Sequence, residues 1–393
     1  MTISTDKTKI KELLTRGVEE IIDQVHLQKQ LESGTQLRVK LGIDPTSANI
    51  HLGRSIPLLK LRDFQELGHQ IVFIVGDATG VIGDTSDKDS ERPMLTREDV
   101  EQNLKNYKEQ VGKILDLDKI EFRYNSEWLN KLSYDEIGEH ANVFSLAEFI
   151  SRDNIRRRLD AGTRVSLREL LYPLMQGYDS VAIEADVELG GTDQRFNLLA
   201  GRTLQSHFGQ EPQDILMNPL VAGTDGRKMS SSWGNTVNLT DEPNDMFGKI
   251  MSVPDGLIIE YFTYMTRVPL SEVEIYAKAM KDGGNPRDYK VLLGKAIVTF
   301  YHSLEDAEKA EANFINTFTN KQTPDDMPEL APASSNIVDV LIEAGFATSK
   351  GDARRAIDGG GVRINEEKVA SHDEEVKSGD VVNKGKRHFI KII

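Results

Sequence analysis

The chain has 393 residues, 38% of them hydrophobic, with eight histidines, no cysteine and a formal net charge of −15. Disulfides, thiolate nucleophiles and cysteine–zinc sites are excluded, no HExxH-like pair occurs, and the charge has the wrong sign for a nonspecific nucleic-acid coat. The length predicts two or three domains. With no apolar run near the roughly 18 residues of a membrane helix, and no apolar core behind "MTISTDKTKIKELL", a soluble cytoplasmic protein without membrane association is expected.

The first clear element is a strand over 37–44, where Leu37, Val39, Leu41 and Ile43 alternate with Arg38 and Lys40. It ends in the turn "DPTSANIHLG". Leu58, Leu61, Phe64 and Leu67 then recur at helical spacing and Gly68 supplies a C-terminal cap. The run "QIVFIVGD" is continuously apolar and β-branched, as a strand buried on both faces of a parallel sheet should be. Strand, turn, helix and strand make a βαβ unit, which points to an open α/β sheet with ligands at the carboxyl ends of its strands. Both "GIDPTS" and "GDATGVIGD" fall at such ends.

Further along, Met246, Ile250 and Met251, then Val291, Leu292, Ala296 and Ile297, mark helices in a small helical domain from 236 to 322. "TPDDMPELAPASS", 323–335, reads as a proline-rich extended connector. From 336 onward two short helices, a triple glycine and strands make a third domain. It holds ten Lys plus Arg and ten Asp plus Glu, so the first 335 residues carry the whole −15. The neutral tail is therefore the better candidate for touching phosphate backbones.

Two short stretches carry chemistry. "HLGR", 51–54, opens the helix after the first strand; "KMSSS", 228–232, lies in "GTDGRKMSSSWGN", whose composition suits a flexible linker as well as a phosphate loop. A Walker A loop is absent, because Gly226 is followed by Arg227, Lys228 and Met229, and glycines at 76, 80 and 83 do not make GxGxxG. Taken singly, His51 reads as a helix cap or core histidine and Lys228 as a surface lysine. Together and in this order, they resemble the HIGH and KMSKS motifs of class I aminoacyl-tRNA synthetases.

The middle of the chain narrows the resemblance. "YPLMQGYDSVAIEADVELGGTDQRFN" is similar to the tyrosine pocket and nucleotide loop of tyrosyl-tRNA synthetases, and Tyr172, Gln176 and Asp179 share one helix face at i, i+4 and i+7. "SKGDARRAIDGGGVRINEEKV", 349–369, resembles the RNA-binding domain first named from a small-subunit ribosomal protein, which follows the catalytic part in bacterial-type members.

The resemblance implies a Rossmann-like, doubly wound parallel sheet over 1–235 with a dimerising insertion around 120–185, an anticodon-region helical domain, and an α+β RNA-binding domain over 336–393. It implies a ligase that forms tyrosyl-adenylate from tyrosine and Mg·ATP, then charges tRNA(Tyr), as a homodimer. Asp179 is assigned to the phenol hydroxyl, and Tyr172, Gln176 and Asp84 to the substrate ammonium. Gln194 is assigned to the carboxylate, and Asp193 and Gly191 to the ATP ribose. Asp44, Thr46, His51 and Gly53 surround the nucleotide, with Arg54 and the loop residues Lys228, Met229, Ser230 and Ser231 at its phosphates. Asn125 of "YNSEW" matches a supporting position. Lys350, Arg354 and Arg355 would contact RNA phosphate, and no metal is expected to be held by the protein itself.

This chemistry has a physical basis. A carboxylate must meet the α-phosphate of ATP, so two anions are brought together and growing charge is stabilised. His51 at a helix N-terminus and Lys228 on a loop suit that task. The sequence departs from the family pattern at Lys40, where a tyrosine is usual, at Arg54 for the final histidine of HIGH, and at Ser231 for the second lysine of KMSKS. A tryptophanyl-type ligase and a non-catalytic RNA-binding paralogue are the competing readings.

Overall fold

The computed structural model describes residues 3–86, 95–318, 327–385 and 388–393, which divide into two compact units, 1–304 and 305–393. The expected boundary at 322/323 and Pro324 lie outside the described residues.

The larger unit is built on a six-stranded sheet of β1 (Glu20–Ile22), β2 (Arg38–Ile43), β3 (Gln70–Val75), β4 (Ile120–Tyr124), β5 (Val187–Gly191) and β6 (Asp214–Asn218), in the order β1-β6-β5-β2-β3-β4. All neighbours run parallel except the edge strand β1, which pairs antiparallel with β6 through Glu20 and Met217. The chain winds outward from β2 through β3 to β4, then returns to the other side of β2 with β5 and β6. This is the doubly wound α/β arrangement, and its switch point lies between β2 and β5, where a crevice opens beyond the strand ends.

The expected β2 and β3 are present, and the helix between them spans Leu52–Leu67 and stops at Gly68 in the left-handed conformation, φ 96°. Lys40 is 0% exposed, because a central parallel strand is covered on both faces. Its charge is met by Glu188 on β5 at 2.9 Å.

Helices Pro243–Met251, Ile258–Met265, Leu270–Lys281 and Pro286–Tyr301 belong to the same compact unit as the sheet. Tyr301 donates its hydroxyl to Ser55 Oγ at 3.1 Å, and Arg16 donates to the carbonyl of Thr266 at 2.7 Å.

In the second unit, helices Ile337–Glu343 and Lys350–Asp358 share a core with a five-stranded sheet of β7 (Glu329–Leu330), β8 (Val362–Ile364), β9 (Glu367–Lys368), β10 (Val381–Lys384) and β11 (His388–Ile392). Ile337, Leu341, Ile357, Val362, Val382 and Ile390 form that core. Glu329 and Leu330, read from sequence as connector, are extended because they pair in parallel with Lys391 and Ile392.

Candidate active site

A cavity of about 760 Å³ opens at the switch point, lined by the ends of β2, β3, β5 and β6 and by the segment 228–233. Asp44, Thr46, His51, Gly53, Arg54, Asp84, Asn125, Tyr172, Gln176, Asp179, Gly191, Asp193, Gln194, Lys228, Met229, Ser230 and Ser231 all line it. Residues scattered over nearly 190 positions thus meet: the parallel strands deliver the carboxyl ends of β2, β3 and β5 to one edge of the sheet, the helix Leu167–Ala182 adds Tyr172, Gln176 and Asp179, and the segment after β6 adds 228–231.

Asp179 is 3% exposed at the buried end. Trp128 Nε1 donates to it at 2.7 Å and Asn125 Nδ2 at 3.2 Å. Burial pushes its carboxyl up to about 7, against the opposing influence of Lys40 and of those two donors. One turn earlier, Gln176 donates its amide to Glu188 at 3.1 Å, which leaves its carbonyl oxygen to the cavity. Tyr172 donates to Asp44 at 2.9 Å, and burial raises its phenol well above the ordinary range.

Along one wall, Gln194 donates to Asp84 at 2.7 Å and is itself held by Asn197 at 2.9 Å. Ser86 donates its hydroxyl to the other oxygen of Asp84 at 2.6 Å, and Arg152 donates to Ser86 at 2.8 Å.

His51 satisfies both sequence readings at once. It caps the helix Leu52–Leu67, its Nδ1 accepting the Arg54 amide at 3.3 Å, and it also faces the cavity. Burial, then the charges of Arg54 and Lys228, bring it down to about 3, so the ring is neutral. With Nδ1 accepting, the proton sits on Nε2. The Arg54 guanidinium reaches Thr46 at 3.0 Å, Ser47 at 3.4 Å and Tyr107 at 3.3 Å, all on or beside the turn after β2.

"GTDGRKMSSSWGN" folds as a tight hairpin, not as a linker. Gly223 donates to the carbonyl of Arg227 at 2.7 Å, and Met229 to that of Val221 at 2.9 Å. Buried Asn235 accepts from the Ser230 amide at 2.9 Å and donates to Asp225 at 2.7 Å and to the carbonyl of Lys228 at 3.0 Å. Gly223 is required there, since a Cβ would run into Asn235. Met229 packs its sulfur against the Gly53 amide at 3.2 Å, joining the two motifs, and Lys228 pairs with Asp193 at 3.2 Å.

Residues 32–319 match the family model described as tRNA synthetases class I (W and Y), and residues 319–392 match the Tyrosine–tRNA ligase SYY-like C-terminal domain. The tyrosine–tRNA ligase of Thermotoga maritima is 44% identical over 99% of this chain and 98% of its own length, and that of Haemophilus influenzae is 44% identical over the same shares. The chain belongs to the tyrosyl-tRNA synthetase family. A tyrosyl-tRNA synthetase from Archaeoglobus fulgidus, solved with L-tyrosine, is 26% identical with a TM-score of 0.62 over 78% of this chain and all of its own. A truncated mitochondrial enzyme from Aspergillus nidulans shares the fold, with a TM-score of 0.66 at 20% identity over 79% of this chain and 94% of its own.

Sequence reasoning missed several residues of this synthetase's cavity region. Trp128, one of two tryptophans in the chain, gave no local signal that it meets Asp179. Glu188 and Ser180 were likewise passed over, and their contacts with Lys40 emerge only when β2, β5 and the helix Leu167–Ala182 are assembled.

In the second unit, Lys350, Arg354 and Arg355 lie on the helix Lys350–Asp358. Lys350 pairs with Asp339 at 2.7 Å, and Arg355 with Asp352 at 3.5 Å. Arg355 also lines an open cavity of about 520 Å³ with Lys384 and His388, two residues that the sequence reading had not singled out.

Proposed function

We propose that this enzyme activates L-tyrosine with ATP, releasing pyrophosphate, and transfers the tyrosyl group to the 3′-terminal adenosine of tRNA(Tyr). The observation that carries the reading is Asp179, a buried acceptor at the closed end of a cavity whose mouth holds Lys228. Its carboxylate accepts a hydrogen bond from the phenol hydroxyl. The free carbonyl of Gln176, with Tyr172 and Asp84, receives the ammonium. Gln194 offers its second N–H to the substrate carboxylate.

At the nucleotide end, Asp193 and Gly191 take the ribose, and Asp44, Thr46 and Gly53 bound the base and sugar. His51 donates Nε2–H to a phosphate oxygen without adding charge. ATP exchanges the Lys228–Asp193 pair: ribose hydroxyls go to Asp193, and the leaving pyrophosphate goes to Lys228. Met229, Ser230 and Ser231 carry the backbone that follows it. Magnesium enters with ATP as Mg·ATP; among the described residues no cluster of three or more His, Cys, Asp or Glu stands ready to hold a metal.

The remaining assignments follow the same reading. Tyr134, Leu146, Ile150, Leu159, Leu167 and Leu171 are exposed large apolar side chains in the insertion around 120–185, which supports a homodimer through it. The helices between 243 and 301 serve the anticodon region, and Lys350, Arg354 and Arg355 hold RNA phosphate. No helix among the described residues is long and apolar enough to cross a membrane, and the site of action is the cytoplasm. Amino-acid-dependent pyrophosphate exchange tests the central claim: exchange with tyrosine and not tryptophan is expected, and the reverse would sink it.

Two variants probe the supporting residues. Trp128→Phe removes a donor that holds the Asp179 carboxyl down, so the acid limb of kcat/KM for tyrosine, expected near pH 7, moves to higher pH. A profile superimposable on wild type refutes that role. Asn235→Ala releases the Ser230 amide and loosens the backbone of Met229, Ser230 and Ser231 beside the nucleotide, and is expected to raise KM for ATP about tenfold, the size of one or two hydrogen bonds, with KM for tyrosine unchanged. An equal rise in both constants would mean general loss of structure.

A further inference from the structure

Beneath the amino-acid end of the cavity lies an ion pair that the reading above does not use. Lys40 and Glu188 are directly paired positions of the parallel neighbours β2 and β5, 0% and 1% exposed, with Nζ 2.9 Å from the carboxylate. The three ammonium hydrogens of Lys40 have three partners: Glu188, Ser180 Oγ at 2.8 Å and the carbonyl of Gln176 at 2.9 Å. Glu188 accepts in addition from Gln176 Nε2 at 3.1 Å, Ser180 Oγ at 3.1 Å and Gln213 Nε2 at 2.5 Å.

Two strands and one helix are thereby tied at a single point. The tie grips Gln176 twice, by its backbone carbonyl and by its side-chain amide, and Asp179 and Ser180 follow on the same helix. A hydrophobic pair of similar volume would serve stability as well, since desolvating two charges offsets most of their attraction. What an apolar pair could not do is orient the amide of Gln176 or set a charge behind Asp179.

We propose that Lys40 and Glu188 are positioning residues for tyrosine selection, fixing Gln176 with its side-chain carbonyl toward the cavity, one helical turn before Asp179, which meets the phenol hydroxyl. The inference rests on the tyrosine-activating function proposed above. The groups facing Asp179 are Lys40 from β2, Glu188 from β5, and the neutral donors Asn125 and Trp128; Tyr172, with Asp44 and Asp84 beyond it, faces the same cavity. Lys40 favours the ionised carboxylate and Glu188 disfavours it. The two charges therefore have opposite signatures, which a merely structural role would not produce.

The test measures pyrophosphate exchange against pH for wild type, Glu188→Gln and Lys40→Met/Glu188→Gln, with thermal melting as a check of folding. Glutamine keeps an acceptor for Gln176 and Gln213, and the double variant leaves no buried charge unpaired. Tyrosine-dependent exchange by wild-type protein is established first, and its absence would overturn the functional reading rather than this one. With that in hand, Glu188→Gln is expected to move the acid limb of kcat/KM for tyrosine to lower pH. The double variant moves it to higher pH than Glu188→Gln does.

In the double variant KM for tyrosine rises about 10-fold to 100-fold, the effect of losing a charge-assisted hold on a substrate ligand, while KM for ATP stays as in wild type. The ratio of kcat/KM for tyrosine over phenylalanine falls. Folded variants that share one acid limb, or that keep wild-type KM and discrimination, overturn the proposal. If the double variant does not fold, the direction of the limb in Glu188→Gln decides alone: a limb unchanged or moved upward overturns it.

Discussion

Asp179→Ala is expected to lower kcat/KM for tyrosine in pyrophosphate exchange about 10³-fold while leaving phenylalanine nearly where it was. The carboxylate is 3% exposed, so the substrate hydroxyl that meets it cannot turn to water instead. A hydrogen bond to a charged group contributes about 1.5–3 kcal/mol, and leaving the hydroxyl buried and unpaired costs about 1–3 kcal/mol more. The sum, about 4 kcal/mol, is roughly three powers of ten in rate. Phenylalanine brings no hydroxyl and loses nothing when the acceptor goes. The intact site should reject phenylalanine by about 10⁴ to 10⁵, a magnitude measured on tyrosyl enzymes themselves and so borrowed rather than derived.

The same residue sets the sign of the pH dependence. Its carboxyl is pushed up to about 7 because burial penalises the charged form, so protonation on acidification replaces the charged acceptor with a weaker neutral one. Activity toward tyrosine therefore falls below about pH 7 in wild type, and that limb disappears in Asp179→Ala. An Asp179→Ala enzyme that still preferred tyrosine by its wild-type ratio would show that another group reads the hydroxyl.

The parts of this architecture written in local pattern were legible. The run "QIVFIVGD", the helical spacing of Leu58, Leu61, Phe64 and Leu67, and Gly68 as a stop each have a short-range cause, and each stands where the pattern puts it. The cavity was legible for a different reason: its residues sit in compact motifs, at strand ends, on the helix Leu167–Ala182 and on the hairpin after β6, each recognisable as a unit. What escaped is long-range. The edge strand Glu20–Ile22 is three residues long and exists only because β6, nearly 200 positions later, presents a partner. That Lys40 is a buried ion follows only once β5 and the helix Leu167–Ala182 are packed around it. In "GTDGRKMSSSWGN", Gly and Ser suggested mobility, whereas the side chain of one asparagine at the far end ties the loop to itself.

That hairpin makes Lys228 the residue on which the chemical step should depend most. The cations among the described residues lining the cavity are Arg54 and Lys228, His51 being neutral. Arg54 is engaged with Thr46, Ser47 and Tyr107 across the turn after β2, and a fixed guanidinium cannot follow charge as it moves onto the leaving group. Ser231 supplies a hydroxyl where a second lysine would stand in KMSKS. No second ammonium of the motif can take over, so Lys228→Ala should slow adenylate formation in single turnover about 10²- to 10³-fold, the usual effect of removing one preorganised donor to a developing charge.

KM for tyrosine should stay within about twofold, because Lys228 stands at the mouth and Asp179 at the closed end. The Asp193 contact sharpens the expectation. Removing Lys228 frees Asp193 of its 3.2 Å partner before ATP arrives, so binding of the ribose is not weakened and the loss falls on kcat rather than on KM for ATP. A Lys228→Ala enzyme that forms adenylate at the wild-type rate would refute the mechanism even with tyrosine still the substrate. A large rise in KM for ATP with kcat intact would instead make the lysine a ground-state binder.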